Sequence, residues 1–253
     1  MWTINVHAGH NPDGKIGSGA VGLIKESKEN RKVLKQVKKY LKLFGFKVYD
    51  CTVNDGRSQI DILEKIVRMC NAHKVDLDVS IHFNVGRNDL KGDGETGGVE
   101  VLVYSEKLGP VKTAEDVCKS VSRLGFRNRG VKYRPELMFL NATTAPAMIV
   151  ECCFVDDADD VEKYNYKKMG QAIAEGIANS YCPYKVVTTR AGVISRDRAS
   201  KKYTPMGKLK KGTTCIIEKI RIVDGIRYGK RSKNKTWIRM KYTKEIWSKV
   251  FVS

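Results

Sequence analysis

Apolar residues recur along the chain with two spacings. Over 26–45, "ESKENRKVLKQVKKYLKLFG", Val33, Leu34, Val37, Leu41 and Phe44 fall on one stripe. That is the period of an amphipathic helix, and Gly45 is a fitting stop. Ile60, Leu63, Ile66, Val67 and Cys70 share a face over 55–74 and predict a second helix. Further helices are predicted over 113–124 and 163–181. In "VDLDVSIHFN" (75–84) apolar residues alternate with polar ones, the mark of a half-buried strand. Short apolar runs predict other strands at 3–6, 46–51, 97–105, 137–141 and 147–154. Strands that alternate with helices imply an α/β fold, with a largely parallel sheet and helices on both faces.

The pattern changes at "CPYK" (182–185). Beyond it come short strand-like pieces separated by glycines, lysines and polar turns: "YKVVTTR", "CIIEKIRIV", "IRYGKR", "KTWIRMKYT" and "IWSKVFVS". They predict a small all-β barrel. The expected organisation is a domain over 1–181, a linker over 182–187 and a second domain over 188–253.

Charge sharpens this division. Residues 1–181 carry 27 Lys+Arg and 24 Asp+Glu, a net of +3, and residues 182–253 carry 20 and 4, a net of +16. The C-terminal region is therefore expected to seek polyanions. Anionic wall polymers, nucleic acid and anionic membrane are the candidates. No apolar run approaches the ~20 residues of a membrane span. "MWTINVHAGH" has neither the basic nor the apolar region of a secretory signal. The chain is thus expected to be made in the cytoplasm. The seven cysteines are scattered without a CxxC pair, which predicts reduced and mostly buried thiols.

Four residues stand out chemically. His10 follows the first strand, Glu26 opens the first helix, His82 lies near the end of the 75–84 strand, and Glu151 interrupts the apolar "AMIVECCF". Ligands of open α/β sheets bind beyond the carboxyl ends of the strands, so these four can meet at one edge. Two histidines and a carboxylate are a recurrent zinc set, with a free carboxylate as base. Structural alternatives stand beside this: histidines hydrogen-bonded within the sheet, and a buried salt bridge for Glu151.

"INVHAGHNPDG", "KESKENRKV", "VDLDVSIHFNVG" and "APAMIVECCFVDD" resemble, in order, the four motifs of the zinc-dependent N-acetylmuramoyl-L-alanine amidases, a group that includes phage endolysins. The similarity covers about 1–181. It implies a twisted, mostly parallel six-stranded sheet flanked by helices. It implies Zn2+ on His10, Glu26 and His82, with Glu151 as the catalytic acid/base. The implied reaction is zinc-assisted hydrolysis of the amide between N-acetylmuramic acid and L-alanine of peptidoglycan, after release of the enzyme to the wall. Two rivals remain: His7, where the family often has aspartate, and Glu29, one turn beyond Glu26. Asn84 and Arg129, within or near the basic stretch 126–134, are expected to line a substrate groove.

"MGKLKKGT" (206–213) and "TWIRMKY" (236–242) resemble bacterial SH3-like wall-binding domains. Tyr203, Tyr228, Trp237, Tyr242 and Trp247 suit stacking on sugars or bases, and Tyr228 and Trp237 are the expected wall contacts. Competing functions are a basic wall or nucleic-acid adaptor on an inactive scaffold, and a different zinc hydrolase such as a peptidase or deacetylase. Nucleic acid is not the expected partner.

Overall fold

The structure is a computed structural model that describes residues 2–246. The chain divides into two compact units, Met1–Ile177 and Ala178–Ser253.

The first unit alternates strands and helices: β1 (Thr3–Ala8), α1 (Glu26–Phe44), β2 (Lys47–Asp50), α2 (Gln59–Asn71), β3 (Leu77–Asn84), β4 (Val99–Val103), α3 (Val111–Ser122), β5 (Asn128–Tyr133), α4 (Met138–Ala142), β6 (Ala147–Phe154), α5 (Ala158–Lys163) and α6 (Tyr166–Ser180). Its six strands form one sheet in the order β2-β1-β3-β6-β4-β5. All pairings are parallel except β4 with β6. β4 and β5 therefore run opposite to the other four strands. The start of β4 consequently lies at the same edge as the ends of β1, β3 and β6.

Local chemistry explains the main elements. α1 buries the stripe Val33, Leu34, Val37, Leu41 and Phe44. Each such side chain contributes about 1.5–3 kcal/mol relative to exposure. Gly45 ends the helix at φ 92°, its N–H donating to the Lys42 carbonyl while the Phe46 N–H donates to that of Leu41. This is the Schellman arrangement, which needs a residue without a Cβ penalty. Ser58 caps α2 by accepting the Asp61 N–H at 3.1 Å. α2 and α4 cover a core of Ile62, Ile66, Cys70, Leu102, Phe139 and Ile149.

Two elements differ from expectation. Residues 137–141, expected as a strand, form α4. The run "LMFL" is too short for its periodicity to separate a strand from one buried helical turn. Residues 128–133, within the basic stretch 126–134 expected at the substrate groove, form β5. It is the last strand of the sheet and largely exposed, so it shows no apolar alternation.

The second unit contains β7 (Tyr184–Thr188), β8 (Val193–Arg196), β9 (Pro205–Leu209), β10 (Thr214–Val223), β11 (Ile226–Arg231), β12 (Trp237–Arg239) and β13 (Thr243–Ile246). They form one sheet in the order β13-β7-β10-β11-β12-β8-β9, with every pairing antiparallel. Among the described residues no pairing joins β9 to β13. Residues 184–187 of the expected linker 182–187 lie in β7. Tyr184 and Val186 are buried, and β7 is held between β10 and β13. None of the seven cysteines is in a disulfide, and six are buried.

Candidate metal centre and active site

The ends of three strands and the start of one helix build the centre. β1 stops at Ala8, and Gly9 and His10 turn the chain out of the sheet. His10 adopts a left-handed φ of 65°, uncommon for a side-chain-bearing residue. Neighbours hold it there. Asn30 donates to the Gly9 carbonyl at 2.8 Å, and Arg31 to the His10 carbonyl at 2.9 Å. Asn11 donates to the carbonyls of Ile16 and Gly56 at 2.9 and 2.7 Å, closing the loop.

Glu26, the first residue of α1, is buried between the two histidines. Its Oε1 lies 2.9 Å from His82 Nδ1 and accepts the Phe83 N–H at 3.1 Å. Its Oε2 lies 3.4 Å from His10 Nε2 and accepts the Ala20 N–H at 2.8 Å. Burial alone would raise the Glu26 pKa. The hydrogen bonds and charges of His10 and His82 outweigh it and hold the carboxyl well below the usual range. One donor atom from each of His10, Glu26 and His82 lies within 4.8 Å of the other two. Glycines make room for this. A Cβ on Gly9 would lie 2.0 Å from His82 Cε1, and one on Gly19 would lie 2.5 Å from Glu26 Oε2.

The rivals are placed elsewhere. His7 is inside β1 and buried, its Nδ1 3.3 Å from the Ala8 carbonyl and 3.5 Å from Ser80 Oγ. Its ring meets Phe139 edge-on at 4.6 Å. Burial, then the neighbouring His82, lowers its pKa to about 3, so the ring is neutral. Glu29 is bound to Lys32 and to the Tyr164 hydroxyl. Neither joins the donor set.

Glu151 stands directly across the β3–β6 ladder from His82. Its Oε2 is buried without a hydrogen-bond partner. Burial, then the charges of Glu26 and Glu100, raise its pKa well above the ordinary value. Glu100 escaped sequence reasoning. It faces Glu151 across the β4–β6 ladder, and only the reversed direction of β4 puts it there. Both residues expected to touch substrate attend to it. Asn84 donates to Glu100 Oε1 at 2.8 Å, and Arg129 to Oε2 at 2.7 Å, with the guanidinium 5.0 Å over the Phe154 ring. The only apolar-run signal at Glu100 was "GGVEVLVYS", where a glutamate interrupts a strand as Glu151 does.

A second acidic group, Asp89, Asp93 and Asp159, also converges. The carboxylates of Asp89 and Asp159 accept backbone N–H groups of Gly92, Asp93 and Gly94 and close that loop.

In the second unit, the expected wall contacts Tyr228 and Trp237 are 3% and 8% exposed. They pack with Ala199 in a core cluster instead of presenting their faces. Cross-strand register sets both beside Arg221, Lys230 and Arg239, on the face opposite Ile220 and Ile238, and there Ala199, Val223 and Ile226 cover them. Trp237 still borders a groove of about 580 Å³ with Arg198, Lys202, Tyr203 and Arg221. Tyr203 is exposed, and Tyr242 carries the Arg190 guanidinium 3.7 Å over its ring. Trp247 and the strand expected around it lie outside the described residues, apart from the end of β13.

The profile of the N-acetylmuramoyl-L-alanine amidase family matches residues 4–181. The chain belongs to that family. An uncharacterized protein of Clostridium perfringens is 30% identical over 269 residues, covering 96% of this chain and 73% of that protein. The endolysin of Bacillus phage SPP1 is 30% identical over 172 residues, covering 68% of this chain and 61% of the endolysin. The amidase shares its fold with the catalytic domain of the CD27L endolysin targeting Clostridia difficile. That match has a TM-score of 0.63 at 24% identity and covers 71% of this chain and 98% of that one. Among the described residues no helix is long and apolar enough to cross a membrane.

Proposed function

We propose that this amidase hydrolyses the bond between N-acetylmuramic acid and L-alanine in peptidoglycan, with Zn2+ held by His10, Glu26 and His82 and Glu151 as general acid/base. The observation that carries the reading is the partnerless carboxyl of Glu151 opposite His82, beside a converged His/Glu/His donor set. Two imidazoles and a carboxylate are a donor set that suits zinc and leaves a position open. When bound, zinc would supply Lewis-acid polarisation and acidify water. The protein's own part is proton handling. Glu151 takes a proton from the attacking water and delivers it to the departing alanine nitrogen. Its raised pKa suits a group that must hold that proton between the two steps. Asn84 and Arg129 engage both oxygens of Glu100, which leaves Glu151 as the carboxyl with an unpartnered oxygen. Asn84 and Arg129 serve the substrate groove through this network.

The second unit, with its excess of positive charge, serves as an SH3-like wall-binding domain that holds the enzyme on anionic wall polymers. In this reading the protein is an endolysin, made in the cytoplasm and released to the wall at lysis.

Digestion of purified peptidoglycan tests the activity. New alanine amino termini without new reducing sugars are expected. Reducing ends would mean a glycosidase, and an unchanged wall would mean an adaptor.

A further inference from the structure

Beside the donor set lies a cavity of about 200 Å³. Ile62, Ile66, Leu102, Phe139 and Ile149 wall it with hydrocarbon, and His10, His82 and Glu151 stand at it too. His7 is part of the lining. It is 2% exposed, and its Nε2 has no hydrogen-bond partner in the protein. A buried, partnerless ring nitrogen is uncommon in a folded protein and calls for a partner from outside the chain.

The other ring nitrogen fixes what that partner must be. Nδ1 lies 3.3 Å from the Ala8 carbonyl oxygen, which can only accept, and at the longer 3.5 Å from Ser80 Oγ, which can accept as well. Nδ1 of the neutral ring therefore carries the hydrogen, and Nε2 offers a lone pair. The cavity thus offers this lone pair among mostly hydrocarbon walls, its other polar lining being Gln59, Ser80 and the residues of the centre. Sugar rings, rich in hydroxyl groups, would leave most of their polar atoms unmatched there. A small amino-acid residue, with one N–H and a hydrocarbon side chain, satisfies both features.

We propose that this cavity is the subsite for the first amino acid of the stem peptide, with a peptide N–H of the substrate donated to His7 Nε2. The proposal rests on the peptidoglycan reading above and adds the side of the scissile bond that the cavity takes. It also gives His7 a task that needs no contact with the metal.

The test uses the full-length, metal-loaded protein and N-acetylmuramoyl-L-alanyl-D-isoglutamine as the probe. His7→Phe keeps a ring and removes the acceptor. His7→Gln returns an acceptor near the Nε2 position, and His7→Leu is a second variant without one. KM is expected to rise about three- to tenfold in His7→Phe and His7→Leu, the worth of one neutral hydrogen bond. Metal content should not change, the effect should fall on KM more than on kcat, and His7→Gln should recover most of it. Binding of the same probe in a Glu151→Gln background, measured by calorimetry, should weaken by the same factor. Binding of N-acetylmuramic acid alone should not respond to His7. Unchanged KM and affinity in both acceptor-less variants would overturn the proposal. So would metal loss in all three variants, or an equal effect on the sugar alone. If the wild-type protein binds the probe without cutting it, the proposed activity falls, and the calorimetric comparison still decides the role of His7.

Discussion

The two units use polar residues in opposite ways. In the first, net charge is small, but carboxylates and imidazoles go inside: Glu26, Asp78, Glu100, Asp157, Asp160 and His7 are all buried. Each buried carboxylate is tied to named donors, and Glu151 alone lines the cavity with an oxygen left unmatched. In the second unit the buried polar residues are the hydroxyl-bearing Thr188, Ser195, Ser200 and Thr236. Of its few acids, Glu218 pairs with Lys230 and Lys235, and Glu245 with the half-buried Arg227. Most of the charge there lies at the surface. Bond-breaking chemistry needs polar groups desolvated and fixed, because fields are strong only away from water. Holding a long charged polymer needs many exposed charges of one sign.

The sharpest way to break this comparison is at the donor set. His82→Ala should lose bound metal and all measurable wall hydrolysis. Glu151→Gln should keep the metal and lose about 10²- to 10⁴-fold in rate. Both variants should still sediment with walls as the wild type does. Metal analysis and pelleting assays check the pair, and loss of wall retention in either would end the division of labour.

Salt should separate the units next. Wall retention of the full chain is expected to fall steeply between about 0.01 and 1 M salt, as the Debye length contracts from roughly 30 to 3 Å. Retention that ignores salt would assign the holding to something other than charge.

The smallest effect concerns stability. Burial pushes the Asp78 carboxyl up to about 6, against the pull of its hydrogen bonds to Asn5 and Cys70. Below the unfolded value near 3.8, both states hold the proton. As pH rises toward 6, the unfolded chain releases it first, so stability falls with rising pH. The loss is on the order of 3 kcal/mol and is complete above 6. Asp78→Asn should remove this decline, since its amide can serve the partnerless Asn5 Oδ1. Urea unfolding from pH 4 to 7.5 checks it. The reading is the difference between wild type and Asp78→Asn, because His7, with its pKa near 3, adds a rise over the same window; a difference that does not decline with pH would refute the assignment.

Much of the first unit was legible because its buried elements repeat cleanly. α1 and β3 carry long apolar patterns, and burial follows them. β5 was illegible because an edge strand has little to bury, and α4 because one turn has no period. The candidate site lay in four distant segments, so spacing alone left its residues open. The ordered motifs brought them together. His7 and His10 look equivalent in "HAGH", yet one belongs to a strand and the other follows a turn. Glu100 could not be placed without knowing that β4 runs backwards. In the second unit, strand alternation puts Tyr228 and Trp237 on the basic face, and no local pattern shows that Ala199, Val223 and Ile226 cover them there.

The strand order also governs when the candidate site is complete. β6 is made last of the six strands, yet it inserts between β3 and β4. Until it arrives, His82 has no Glu151 across from it, and β4 has no neighbour on its inner edge. At about 5–20 residues per second, roughly 10–30 s separate the synthesis of His10 from that of Glu151. A nascent or truncated chain that ends before residue 147 lacks Glu151, the acid/base of the proposed mechanism. On that proposal, hydrolytic capacity arises in one step, when the last strand closes the middle of the sheet.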